Sequence, residues 1–559
     1  MTQSSLPFLT VIVLLPIIGG IVLAFLPVDR LAKYLGIALS TVSGILALIV
    51  MLLFKTGDAK YQFVTNHSWV SSLGIGWHFG VDGISLFLME MVALIFPIIL
   101  IATNDKSKNN TYSAWLLILE GACFGSFLSM DLFGFFLFFE LTLIPAYFLI
   151  IGWGGKDRSR AALKFFLYTL FGSAFLFASM VILVVIHQNQ TGVFTFDITK
   201  LVHTKLSYPT QVLLFLGFSA AFVVKTPIFP FHTWSPKAYS EAPTSGSISL
   251  ASIMAKLGTY GLLRFDLNFF PQASYRLAPL LLTLGVIGIV YGAIVAAVQK
   301  DFKKLVAFSS LSHLGFVAIG IFAFSTIAMN GAILQMFNHG VLTAAMFLII
   351  GMILDRTKTI DISKLSGLQK AAPVLSGAMI VVILASLGLP GTNGFIGEFL
   401  ILSGAFIGHR WWAVVALTGV ILSAVYLLWA YQRAFHKKAE NSTSIIKDMT
   451  LKEKLYIAPL ILLIFFIGFF PSTMLNKISP SVNSLIHHVR TANHLSSQTA
   501  FSSKPTDSTG YRTIQAVTGD KSGQKIVTAQ VPTDRTNNSP YRSAVSVNKN
   551  TQIKTGNAK

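Results

Sequence analysis

VVKTPIFPFHTWSPKAYSEAPTSGSISLASIMAKLGTYGLLR, Val223 to Arg264, sets two lysines inside apolar sequence. Lys225 interrupts the run 212–231 and Lys256 the run 248–263. A charge at the centre of a bilayer-crossing helix costs about 2.5–3.5 kcal/mol even on lenient insertion scales, so such residues are kept where an ion or proton passes. Thr226, Pro227 and Pro230 follow Lys225 at once. Proline lacks the backbone donor and clashes with the preceding turn, so this span breaks beside its lysine.

The rest of the chain supplies the membrane setting. Hydrophobic residues make up 53% and charged residues 11%, with a mean hydropathy of +0.68. Runs near the roughly 20 apolar residues of a spanning helix recur about fourteen times, from Leu9–Leu26 to Leu455–Phe470. They predict an all-α polytopic membrane domain over 1–471. The first run is long and has no basic leader or small-residue cleavage site, so it reads as a span rather than a signal peptide. Residues 472–559 are rich in Ser, Thr, Asn, Gln and Lys and are expected to form a polar, disordered tail.

The net charge of +20 does not point to nucleic acid, because it is sorted by side. Loops after odd-numbered spans carry roughly 21 Lys/Arg, against about 7 after even-numbered ones, as the positive-inside rule expects. Lys156, Arg158, Arg160, Lys300, Lys303, Lys304, Lys437 and Lys438 fall on the rich side. Cys123 is the only cysteine. One thiol cannot hold an iron–sulfur cluster or a CxxCH haem, and no phosphate-cradling glycine motif occurs. Redox chemistry, and any cofactor for it, is expected in partner chains.

A second break, Leu387-Gly-Leu-Pro-Gly-Thr392, interrupts a later span, with Glu398 beyond it. Two broken spans in separate halves, each with an ionisable residue, are the signature of transporters built from inverted repeats. Glu140 and Glu120 also lie deep in apolar runs, as does Glu90. His313 (FSSLSHLGF) and His339 (LQMFNHGVL) sit in consecutive spans between Lys256 and Glu398. Imidazole exchanges protons near neutral pH, so the pair extends a candidate relay.

Four ordered stretches resemble one family, the antiporter-like membrane subunits of respiratory complex I. FGFFLFFELTLIPAYFLIIGWGG (133–155) resembles their fifth span, and 223–264 their broken seventh span and the eighth. QKDFKKLVAFSSLSHLGF (299–316) and LGLPGTNGFIGEF (387–399) resemble the tenth and twelfth. The likeness covers about residues 80–435. Glutamate at 398, where sister subunits carry lysine, is similar to chain 4, and ELTLIPAYFLIIGWGGK is closest to the cyanobacterial and plastid form.

The resemblance implies that Glu140 and Lys225 form an intramembrane ion pair. It makes Lys256, His313 and His339 a central relay and Glu398 the distal proton carrier. Burial favours a lysine's neutral form and a nearby carboxylate its charged form, so such a carboxylate can switch a lysine between holding and releasing a proton. The resemblance further implies an NAD(P)H- or ferredoxin-driven quinone or plastoquinone reductase. Its FMN or ferredoxin, iron–sulfur clusters and quinone sit in partner subunits, and its other neighbours are membrane subunits and the thylakoid or bacterial plasma membrane. A multisubunit cation/proton antiporter, a carbon-dioxide-uptake form of the complex and a structural scaffold are the alternatives. Where the family usually reads HxWLPDAH, this chain reads His232-Thr-Trp-Ser-Pro-Lys-Ala-Tyr239, with Lys237 in place of an acid and Tyr239 in place of a histidine.

Overall fold

The computed structural model describes residues 7–25, 29–103, 110–436 and 446–493, together with the strands Tyr511–Thr518 and Lys525–Pro532. Lys437, Lys438 and most of the tail lie outside the described residues. Residues Met1–Asn493 form one unit and His494–Lys559 a second.

The first six spans are α1 (Phe8–Phe25), α2 (Asp29–Leu53), α3 (Ser85–Ala102), α4 (Asn110–Leu128), α5 (Leu132–Trp153) and α6 (Arg158–Thr191). Then come α7 (Tyr208–Lys225), the helical stretch α8 (244–269), α9 (Pro271–Ala297), α10 (Phe302–Phe322) and α11 (Thr326–Thr357). A split pair follows, α12 (Pro373–Ser386) and α13 (Asn393–Gly408), and then α14 (Arg410–Tyr431), α15 (Leu451–Phe469) and α16 (Ser472–Ala492). Among the described residues, eleven helices are long and apolar enough to cross a membrane alone. Counting the bent pair α15–α16 as one span brings the number to twelve, against the roughly fourteen expected. α8, interrupted by two π turns, and the split pair α12–α13 are not single helices of that length, which is why they fall outside the count.

Both expected breaks are present. α7 ends at Lys225, and a turn-rich segment leads to the short helix Ser235–Glu241. Between α12 and α13, Gly388 and Gly391 have φ of +77° and +91°, a backbone region that glycine occupies without strain. Helix starts elsewhere carry their signals. Asp131 caps α5 by accepting from Gly134 N (2.9 Å), and Asp301 caps α10 by accepting from Lys304 N (2.9 Å).

Backbone hydrogen bonds tie the loops into two opposite faces. Gly155 N donates to Glu241 O, and Phe302 N and Ile362 N donate to Ile360 O and Lys300 O. Lys303 Nζ reaches Ala242 O (2.7 Å). The Lys/Arg-rich loops after the fifth, seventh, ninth and eleventh spans therefore meet, as the charge bias predicts. On the other face, Met130 N donates to His78 O and Leu132 N to Phe196 O.

The structure departs from the sequence reading in two places. Gln62–Val70 and Ile75–Val81 form an antiparallel hairpin on the second face, with Asn66 opposite His78 and Ser68 opposite Gly76. The stretch read as tail begins with α16, which bends 70° from α15 and buries Met474, Ile478, Val482, Leu485 and Val489. These fall at helical spacing, so one apolar stripe holds the helix although its mean composition is polar. In the second unit, Tyr511–Thr518 and Lys525–Pro532 pair as antiparallel strands.

On the Lys/Arg-rich face, Arg356 at the end of α11 grips Glu453 with both terminal nitrogens, at 2.8 and 2.6 Å. Glu453 also closes a capping box with Thr450 at the start of α15. Burial opposes the charge of neighbouring Asp448, but backbone donors from Val374, Met449 and Leu375 hold its carboxyl below the usual range. Arg356→Lys keeps the charge and loses the planar fork. It is expected to cost about 1–2 kcal/mol of local stability, read as faster amide exchange in the first turns of α15.

Candidate functional site

The second π turn-free section of α8, Ala255–Gly261, carries Lys256, which is fully buried. Its Nζ donates to Ala251 O (2.7 Å) and lies 2.6 Å from His339 Nδ1 on α11. His339 Nε2 in turn lies 3.3 Å from Thr343 Oγ1. One helix on, His313 Nδ1 of α10 lies 2.7 Å from Glu398 Oε1 of α13, and Gln335 Nε2 donates to the same oxygen (3.2 Å). The two imidazole centres are 5.6 Å apart. A cavity of about 10 Å³ touches both rings and is otherwise lined by Ser309, Ser310, Gln335 and Thr343 among others, which is close to the space of a single water. His313 Nε2 has no protein partner. Lys256, His339, His313 and Glu398 thus form one buried polar string across α8, α11, α10 and α13, with one water-sized gap.

The break after α12 places Glu398. The chain restarts as a helix at Asn393, so Glu398 lies in the second turn of α13, where it is 4% exposed. Asn338 Nδ2 on α11 donates to Asn393 O (2.7 Å), fixing the restart against the helix that carries His339.

The first half is arranged differently from the expectation. Lys225 Nζ donates to Thr142 Oγ1 (2.9 Å) and lies 3.4 Å from Phe139 O. Its ammonium sits 4.4 Å from the centre of the Phe139 ring. No ion pair within 4.0 Å joins it to Glu140, and Glu140 Oε1 has no partner. The helix register gives the reason. Glu140 shares a face of α5 with Leu137 and Ile144, which are 38% and 45% exposed, at i−3 and i+4. Phe139 and Thr142 lie on the other side, against α7. A turn at Thr142 interrupts α5 and lets the Phe139 carbonyl accept from Thr142 Oγ1 (2.7 Å) as well as face the lysine. Lys225 is therefore held by hydroxyl, carbonyl and ring contacts rather than by the closed ion pair.

Glu120 is fully buried, and neither carboxylate oxygen has a partner; Glu90 Oε1 is likewise unpartnered. Lys237 is half-buried in the short helix after the first break. Tyr239 is fully buried with its hydroxyl unpartnered. Neither contacts the string by a hydrogen bond. Other polar residues of the interior gave no signal strong enough to be singled out in the sequence. Thr142, Gln335 and Thr343 are ordinary polar residues in helices. Asp266 accepts from Ser219 Oγ (2.5 Å) with its second oxygen unpartnered, and Arg264 pairs with Asp82 at 2.6 Å. These last two charges stand in apolar context like Lys256 and could have been found by the same criterion. Among the described residues, no group of three His, Cys, Asp or Glu side chains is placed to hold a metal ion.

A family model described as "NADH:quinone oxidoreductase/Mrp antiporter, TM" matches residues 129–423, which include every residue of the string. The chain belongs to this family. NADH-quinone oxidoreductase subunit M of Rickettsia prowazekii (strain Madrid E) is 38% identical, over 86% of this chain and 99% of that protein. Among solved structures, a chain of respiratory complex I from Thermus thermophilus is 32% identical and superposes with a TM-score of 0.79, over 86% of this chain and 99% of that one. A chain of the Mrp complex from Dietzia sp. DQ12-45-1b has a TM-score of 0.76 at 20% identity, over 87% of this chain and 100% of that one, a likeness of fold alone. In this antiporter-like family member the resemblance read from 133–155, 223–264, 299–316 and 387–399 falls inside the matched region.

Proposed function

We propose that the chain is the proton-translocating membrane subunit of an NADH-quinone oxidoreductase, a translocase subunit that holds no redox centre of its own. The observation that carries this is the buried string from Lys256 Nζ through His339 and His313 to Glu398 Oε1, with contacts of 2.6 and 2.7 Å at its two ends. Each member can take up and release a proton. Lys256, His339 and His313 form the central relay, Glu398 is the distal carrier, and Lys225 with Glu140 is the switch of the first half. A water in the cavity between the imidazoles completes the chain of hydrogen bonds.

Electrons come from NADH through partner subunits that hold the FMN, the iron–sulfur clusters and the quinone site. The nearest neighbours are other antiporter-like membrane subunits. The similarity to Rickettsia and Thermus proteins favours a bacterial plasma membrane and a respiratory quinone. A thylakoid form using plastoquinone and NAD(P)H or ferredoxin rests on the single stretch ELTLIPAYFLIIGWGGK.

The test uses the intact complex in sealed vesicles, with NADH oxidation and proton uptake measured together. Glu140→Gln and Lys225→Ala are each expected to lower coupled turnover by about tenfold or more, with assembly retained on a native gel. Because the two act on one event, the double variant should be little worse than either single one. If Glu140→Gln assembles and pumps at the wild-type rate, Glu140 is a packing carboxyl and the switch is wrong. Co-purification with small antiporter subunits only, without iron–sulfur proteins, would replace the oxidoreductase reading by the antiporter one.

A further inference from the structure

A pocket of about 270 Å³ opens on the second face, opposite the Lys/Arg-rich loops. It lies between the segment before the hairpin, the loop after α6, the last turns of α8 and the helix α16. Tyr61, Asp82, Ser481 and His488 are among its lining residues, so its wall is polar. Of the α8 residues that line it, Arg264 lies nearest Lys256 in the chain. The pocket therefore brings the second face within a few turns of the relay, and Arg264 stands between them.

Arg264 is buried, and its guanidinium donates in three directions. Nη2 donates to Asp82 Oδ1 (2.6 Å), Nη1 to Tyr61 Oη (2.9 Å) and Nε to Tyr260 Oη (3.2 Å). Asp82 is held in turn, because the same oxygen accepts from the backbone of Ile84 and Ser85. A proton passes along hydrogen bonds only through groups that accept on one side and donate on the other. A guanidinium accepts nothing, and it does not release its proton. The next group inward is closed as well. Tyr260 Oη gives its one proton to Phe127 O of α4 (3.0 Å), and a carbonyl has none to pass on. Tyr260 lies one turn from Lys256 within the regular section Ala255–Gly261, on the same side of the helix. Lys256 Nζ points elsewhere, to Ala251 O and His339. The other acid at this end of α8, Asp266, accepts from Ser219 of α7.

We propose that Arg264, fixed by Asp82, Tyr61 and Tyr260, is an insulating residue that breaks the hydrogen-bond chain between the second face and Lys256. The proposal rests on the reading of Lys256 as a proton carrier. Translocation toward the second face makes that side acidic, and a proton returning from it to Lys256 would undo a cycle. Water in the pocket reaches Asp82 and the guanidinium, and the route ends there. Arg264 and Tyr260 keep their protons throughout, so the seal works by the direction of its hydrogen bonds.

The experiment uses the intact complex in sealed vesicles with the Lys/Arg-rich side outward and a pH dye trapped inside. NADH drives acidification, the reaction is stopped, and the decay of the gradient is timed. Arg264→Lys keeps a charge for Asp82 and so the fold, but an ammonium can release its proton. Arg264→Gln combined with Asp82→Asn removes both charges together and leaves no unpaired ion. Both forms are expected to assemble on a native gel, to build a smaller gradient per NADH oxidised and to lose it several times faster than the wild type. Adding Lys256→Met to either form should return the decay to the wild-type rate, because the leak runs through that amine; a loosened packing would go on leaking. If both assembled forms hold the gradient as long as the wild type, or if the leak persists with Lys256→Met, the insulator is overturned. A tight lysine form beside a leaking neutral form also overturns it, since charge alone would then make the seal. Lys256→Met by itself separates the two readings: if that variant pumps at the wild-type rate, the relay falls.

Discussion

Glu398→Gln is expected to leave the complex assembled and to lower proton transfer by about 10²-fold. The carboxylate accepts from Gln335 Nε2 and lies 2.7 Å from His313 Nδ1, and the amide keeps the same shape and one acceptor oxygen. What is lost is the only titrating group on α13 in contact with the string. The rate should fall at every pH, because a glutamine cannot be restored by titration. Glu398→Lys is expected to keep part of the activity, since an amine at this position can face His313 Nδ1 much as Lys256 faces His339 Nδ1. Proton uptake and NADH oxidation by reconstituted complex, with assembly read on a native gel, decide the matter. Wild-type pumping by the glutamine form would take Glu398 out of the path.

Lys256→Met should be as severe. Methionine matches the length of the lysine stem and fills the space without a polar group, so packing in the fully buried site is preserved. Removing a buried amine also removes its desolvation cost, and the variant should therefore assemble. His339 Nδ1 loses its partner, the string is cut at its first contact, and coupled turnover is expected to drop by about 10²-fold. Lys256→Arg should be nearly as inactive although it is basic, because a guanidinium does not give up its proton. Appreciable pumping by the arginine form would show that charge alone, rather than proton exchange, is what position 256 supplies.

Much of the architecture could be read directly from the chain. A bilayer offers no hydrogen-bond partner to the backbone, so apolar runs of sufficient length become helices almost regardless of their neighbours. That is why a polytopic helical bundle and the breaks near Pro227 and Pro390 were visible in sequence. The hairpin 62–81 and α16 were not. The first is too short and mixed to stand out among long helices, and the second is held by a stripe that averaging over the polar tail conceals.

The candidate site divides along the same line. A buried charge is expensive wherever its helix lies, so Glu140, Lys225, Lys256, His313, His339 and Glu398 declared themselves by type and context. Which of them touch was decided by helix register and by packing between distant segments. Lys256 meets His339 across 83 positions and His313 meets Glu398 across 85. Glu140 and Lys225, paired by resemblance, are separated because α5 turns its glutamate toward the face of Leu137 and Ile144 and offers Thr142 and the Phe139 carbonyl to the lysine. Sequence alone determined which groups had to be neutralised inside the membrane. Only the tertiary structure decided the partners, because a hydrogen bond depends on fractions of an ångström and on which way each helix faces.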